Sequence, residues 1–320
     1  MRKVIAIGES ILDTVFKDDK PESTFVGGRV ANAAASAASA GIPVTMVSEC
    51  CNDHVGNIIV NHLKNHNVDT SSIDRFTDGS TAISLIFNND GKKNIINYTN
   101  YPTDRFDVVW PRIDEDDIIL FGSFYSIDTT LRERMYELLH YAFERKAIMI
   151  YFLGCQHGIN CRITKVMPAI LENLEMSSIV IANRTDLEAI FPGESADQAF
   201  KNHIEFYSSN FIYINDDFSL TIYRRNGEKI HYPSKPTHTP ESFLGWQSGL
   251  AAGLTYAIFY NNLLFKKLDN VDSELMNSIL DMATEFAQEA ANHTHCINAQ
   301  SGLEKSEHLK RALSGIENNS

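Results

Sequence analysis

Two sets of residues in this chain have types and spacings that could do chemistry. The first lies near the start. In "GESILD" (8–13), Asp13 stands just past an apolar run that reads as a strand. In "VGGRVANAAASAASAG" (26–41), Gly27 and Gly28 precede a helix that carries Asn32 in its first turn. Paired glycines let a backbone approach a ligand closely, and asparagine offers both a donor and an acceptor. Asp13 and Asn32 could thus hold the hydroxyls of a polyol. A helix cap and a tight turn would use the same residues, and both readings stay open at this point.

The second set is "THTPESFLGWQSGLAAGL" (237–254), a polar turn feeding an apolar helix. Helix N-termini hold anions through their unpaired N–H groups. Here, however, Pro240 has no N–H to give, and His238 adds a ring where a phosphate cradle favours glycine. The alternative is an ordinary helix start, with Pro240 in the first turn and Glu241 complementing the helix dipole. Two further groups have ligand types: Cys155, His157 and Cys161, and His293, His295 and Cys296. Neither spacing is a zinc pattern, so buried or incidental residues are the expected reading for both.

Short apolar runs at 3–8, 43–50, 117–122, 147–153, 177–183 and 211–215 alternate with helical stretches. The helical stretches fall at 30–40, 55–66, 129–145, 162–174, 185–191, 195–208, 241–259 and 272–292. That rhythm is the one a parallel sheet imposes, because each crossover needs a helix. Strands at the centre of such a sheet are covered on both faces and read as continuous apolar runs. Two segments break the rhythm, 12–26 and 80–100. The second alternates around Asn-Asp-Gly, a hairpin signal. Together they predict a small β-sheet lid on one domain spanning 1–320.

The composition excludes several functions. A net charge of −13 over 320 residues is a poor match to nucleic acid, whose affinity comes from lysine and arginine. No apolar run reaches the roughly 20 residues of a membrane span, and the start has no secretory pattern, so a cytoplasmic protein is expected. Five cysteines in no regular framework fit free thiols in a reducing compartment.

Glycine-glycine, three residues, asparagine and a small-residue helix, followed by "GIPVTMVSECCNDHVGNIIVNHLKNHNVDTSSI" (41–73), resemble the ribokinase-like (PfkB) carbohydrate kinases. The similarity continues through "TAISLIFNNDGKK", "DDIILFGSF" and "IVIANRTDLEAIF" to the helix after "ESFLGW". The resemblance implies an α/β fold, a three-layer α/β/α sandwich with a mostly parallel central sheet. It also implies a lid that often forms a homodimer contact, and transfer of the γ-phosphoryl group of ATP to a sugar hydroxyl with Mg2+. By the family's pattern Asp13, Gly27, Gly28 and Asn32 fall at positions that contact a small sugar or polyol. Asn183 and Asp186 fall on the N-x-x-E motif that organises magnesium and phosphate. Asn215 stands at the strand that meets the nucleotide, where the family has Thr-x-Gly.

The family's G-A-G-D signature falls on His238, Thr239, Pro240 and Glu241, with Glu241 in place of the catalytic aspartate. A register shifted by three would put Leu244 there instead. Glu241 keeps a carboxylate that could serve as base, but its extra methylene displaces that base. Pro240 removes an amide that would hold developing phosphoryl charge, a loss costing roughly 3–4 kcal/mol in other enzymes. The expectation is therefore a homologue that binds a sugar or polyol with phosphoryl transfer impaired or absent. The alternatives are an active sugar kinase using Glu241 and a non-catalytic regulatory or structural subunit.

Overall fold

A computed structural model describes residues 2–89, 92–154, 163–233, 243–292 and 296. The chain opens with β1 (Val4–Ile7), the pair β2 (Ile11–Lys17) and β3 (Lys20–Gly27), and α1 (Arg29–Ser39). Next come β4 (Val44–Cys51), α2 (His54–Asn65) and β5 (Ile73–Phe76). A second pair, β6 (Ser80–Asn89) and β7 (Lys92–Asn100), precedes β8 (Ile118–Gly122), α3 (Arg132–Glu144), β9 (Ile148–Phe152) and α4 (Ile163–Met176). After β10 (Ile179–Asn183), α5 (Arg184–Ile190) and the short α6 (Ala196–Ala199) come β11 (Asn210–Ile214), β12 (Leu220–Arg224) and β13 (Lys229–Tyr232). Two long helices follow, α7 (Phe243–Tyr260) and α8 (Ser273–Asn292).

The large sheet runs β13-β12-β11-β10-β9-β8-β1-β4-β5. It is parallel from β11 to β5, and β12 and β13 are added antiparallel at one edge. Alternate side chains of each strand point to opposite faces, and the two faces carry separate cores. Val4 and Ala6 pack with α1, α2, α7 and α8, while Ile5 and Ile7 pack with α3, α4 and α5. The result is helix, sheet, helix. Small residues let α1 sink wholly into the first core, and every residue from Arg29 to Ser39 is buried.

Along the chain, strand order runs outward from β1 to β5, then returns to β8 on the other side of β1. Such a reversal opens a crevice at the carboxyl ends of the strands, the usual ligand site of open α/β sheets. The second sheet, ordered β3-β2-β6-β7, stands over that crevice. Its two antiparallel pairs come from the segments that broke the βαβ rhythm, and they join through a parallel β2–β6 pairing. Strands β5, β12 and β13 were not expected from the sequence; "IDRF" and "KIHY" are four residues each, too short to show a period. Among the described residues no helix is long and apolar enough to cross a membrane.

Candidate functional site

A cleft of about 1200 Å³ lies between the carboxyl ends of β1, β4 and β8 and the second sheet. Asp13 and Gly28 line it. The two glycines make that geometry possible. A Cβ on Gly27 would fall 2.1 Å from Asp13 Oδ2, so only glycine lets this carboxylate lie against β3. Gly28 has φ of +105°, and a Cβ there would meet the Glu9 carbonyl at 2.2 Å. The pair thus brings the start of α1 against the end of β1. Asn32 sits one turn further in, buried, with its N–H donating to the Gly28 carbonyl at 2.9 Å. It is not among the residues that line the cleft.

Several cleft residues carry no motif and were missed from sequence. Glu49, on β4, is 1% exposed and pairs with Arg105, which also reaches Asp128 at 2.7 Å. The Arg105 guanidinium lies 4.7 Å over the Tyr101 ring. Burial pushes the Glu49 carboxyl up to about 7 against the opposing pull of Arg105. Burial raises Glu9 as well. Ser123 shares a side-chain hydrogen bond with the Glu9 carboxyl, while Glu49 Oε2 and Tyr125 Oη are buried with no hydrogen-bond partner among the described residues. All four residues line the cleft. Buried polar groups are normally paired, so the two unpaired oxygens of Glu49 and Tyr125 set this wall apart from the rest of the core. One signal was available in the sequence: Glu49 is a lone charge inside the apolar run "VTMVSECC".

The other end of the site is different in kind. Asn183 caps α5, its Oδ1 accepting from the Asp186 N–H at 2.9 Å while Asp186 Oδ2 accepts from the Asn183 N–H at 3.2 Å. Arg29, from the first turn of α1, brings Nη1 to 3.4 and 3.5 Å from the two Asp186 carboxylate oxygens. Its guanidinium also stacks 5.3 Å over Phe152. Asp186 is fully buried and the Arg29 side chain is 9% exposed. Arg29 thus faces the carboxylate that the N-x-x-E pattern would use to organise magnesium indirectly, and places a positive charge beside it. Asn215 is occupied by its own turn: Nδ2 donates to the Ser219 carbonyl at 3.1 Å, Ser219 Oγ at 3.0 Å and Thr221 Oγ1 at 3.1 Å. His238, Thr239, Pro240 and Glu241 lie outside the described residues, as do Cys155, His157, Cys161, His293 and His295. Of Leu244 only the helical backbone is described.

The profile of the pfkB family carbohydrate kinases matches residues 1–236 of this chain. The chain belongs to that family. The matched span covers the cleft, Arg29, Asp186 and Asn215, and stops just before the stretch 237–254. Solved pfkB-like structures share the fold at low identity. An aminoimidazole riboside kinase from Salmonella enterica, complexed with aminoimidazole riboside and an ATP analogue, superposes with a TM-score of 0.78 at 15% identity, over 98% of this chain and 100% of that one. A fructokinase from Xylella fastidiosa with bound ATP gives 0.79 at 16% identity, over 98% and 99%. A sugar kinase from Pyrococcus horikoshii in complex with ATP gives 0.74 at 16%, over 97% and 99%. No curated protein sequence matches significantly. The fold expected from the sequence, a mostly parallel α/β sheet with a small second sheet, is the one observed.

Proposed function

We propose that this pfkB family member binds a small sugar or polyol between its two sheets and that its ATP-dependent phosphoryl transfer is impaired or absent. The observation that carries the reading is the Arg29–Asp186 pair. Phosphoryl transfer depends on cations that neutralise charge as it builds on the phosphate. In this chain the acid at the N-x-x-E position is engaged by an internal cation instead. The sequence supports the same reading, since Pro240 supplies no amide to a phosphoryl oxygen. The polyol end is supported by the polar residues of the cleft wall, Glu9, Asp13, Glu49, Ser123 and Tyr125, among which a ligand's hydroxyls would lie.

The residues divide the work. Asp13 accepts from ligand hydroxyls, Gly27 and Gly28 set its distance, and Arg105 holds Glu49 and Asp128 in place at the cleft wall. The second sheet covers the ligand as a lid over one domain, and its β3 and β7 edges offer a homodimer contact, since unpaired edges favour strand addition. Light scattering that gives a monomer at micromolar concentration removes the dimer from this picture.

A coupled assay with magnesium-ATP and a panel of sugars and nucleosides tests the central claim, beside calorimetry of the same ligands. The expected result is binding of at least one polyol with turnover far below the roughly 1–100 s⁻¹ of kinases. Turnover within that range, abolished in Glu241→Gln, would establish an active kinase with Glu241 as base.

A further inference from the structure

Outside the residues that line the cleft, at the end of α2, three side chains that no kinase chemistry uses converge. His62 and His66 stand four residues apart, so they share one face of the helix. Cys296, from the segment after α8, lies against both. Its Sγ is 3.8 Å from His62 Nε2 and 3.6 Å from His66 Nε2, and the three donor atoms all lie within 4.8 Å of one another. We propose that His62, His66 and Cys296 form a binding site for a zinc-class divalent transition ion. The cysteine had been grouped by sequence with His293 and His295, whereas in the fold it faces α2.

The sulfur–nitrogen distances are those of a coordination vertex. With a Zn–S bond of about 2.3 Å and Zn–N bonds of about 2.0–2.1 Å, a tetrahedral angle puts sulfur and nitrogen about 3.6 Å apart. The tautomer is also set. His66 Nδ1 lies 2.8 Å from the His62 carbonyl oxygen. A carbonyl only accepts, so Nδ1 carries the proton and Nε2 turns its lone pair toward the thiol. An imidazole fixed through its second nitrogen in this way is the usual support of a metal-bound histidine. Two imidazoles and a thiolate are borderline-to-soft donors that select zinc over magnesium or calcium. On binding, the Cys296 S–H bond breaks, its proton passes to solvent, and the sulfur binds as thiolate. Water or another ligand takes the fourth position. Cys296 is 6% exposed and both rings are partly exposed, so the site is reachable. A bound ion would clip the segment after α8 to α2, across 234 residues of chain.

The test titrates the metal-free, full-length protein with Co2+ and then Zn2+. The expected result is one Co2+ per chain with a sulfur-to-cobalt charge-transfer band and tetrahedral visible bands, all displaced by one equivalent of Zn2+. Cys296→Ser should remove the charge-transfer band and weaken zinc binding about 100-fold or more, given that even supporting residues cost 10–100-fold. His62→Gln should weaken it comparably while polyol binding at the cleft stays unchanged. Absence of the band, or a band that survives in Cys296→Ser, would overturn the assignment. So would equal zinc affinity in the wild type and Cys296→Ser, both folded by circular dichroism.

Discussion

In the wall of the cleft, Glu49 Oε2 and Tyr125 Oη are buried without hydrogen-bond partners among the described residues. Two strands away, Asn183 and Asp186 bond each other, Asp186 also faces Arg29, and Asn215 is bound into its own turn. An unpaired buried polar group costs roughly 1–3 kcal/mol. A fold tolerates several such groups where a ligand supplies the partners. Where the partners are internal, the same residue types stabilise the chain and need no ligand. On the proposed function, the contrast sets an end left for a ligand against an end whose polar groups are paired internally, inside one family site.

The largest expected effect strikes the converted end. Arg29→Ala would leave the Asp186 carboxylate buried without its cation, and breaking a buried pair costs about 3–5 kcal/mol. Urea unfolding of Arg29→Ala should show that loss, and Arg29→Ala with Asp186→Asn should recover most of it. The single variant should also relieve the repulsion that opposes a divalent ion, giving measurable magnesium-ATP binding by calorimetry where the wild type gives little. A loss below about 1 kcal/mol would mean that the pair is not what holds Asp186, and the contrast between the two ends would fail.

The next effect sharpens the open end through pH. Glu49 titrates near 7 in the folded chain, above the usual 4.5, because burial disfavours its charge. The folded state thus holds this proton more tightly than the unfolded state. Its stabilisation is fully present below about 4.5 and is lost as pH rises through about 7. The stability of the wild type relative to Glu49→Gln should therefore fall from about pH 4.5 to about 7 and level off above that, by up to ~3 kcal/mol in all. A flat difference, or one that rises with pH, would mean that Arg105 governs the ionisation and that Glu49 belongs with the internally paired groups.

Particular residues explain how much of this was legible in the sequence. β1, β8, β9 and β10 are buried on both faces, so their apolar runs announced the parallel sheet. Asp13, Gly27 and Gly28 were legible because a strand end, a glycine pair and a helix start are all local features. The β2–β6 pairing was not, because it joins two hairpins through hydrogen bonds that leave no periodic trace. Arg29 was visible in "GGRVAN", but its partner lies 157 residues away and nothing local points there. Arg105 comes from an irregular loop, and its place at the cleft is set by Glu49 and Asp128, which are far apart in the chain.

The smallest effect bears on where the boundary between the two ends lies. Asn215 holds the β11–β12 turn through its side-chain amide, and its backbone N–H also donates to the Ser219 carbonyl at 2.9 Å. Removing the side chain in Asn215→Ala leaves that backbone bond, and Ser219 Oγ keeps its bond to Asp217 Oδ1. The loss should therefore be near 1 kcal/mol, the ordinary net value of a hydrogen bond. Because the amide is spent on the turn, adding Asn215→Ala to Arg29→Ala should leave the magnesium-ATP affinity expected of Arg29→Ala unchanged by calorimetry. A tenfold or greater drop in that affinity with unchanged stability would put Asn215 on the ligand. The open region would then extend to β11, leaving the Arg29–Asp186 pair and Pro240 as the features set against nucleotide.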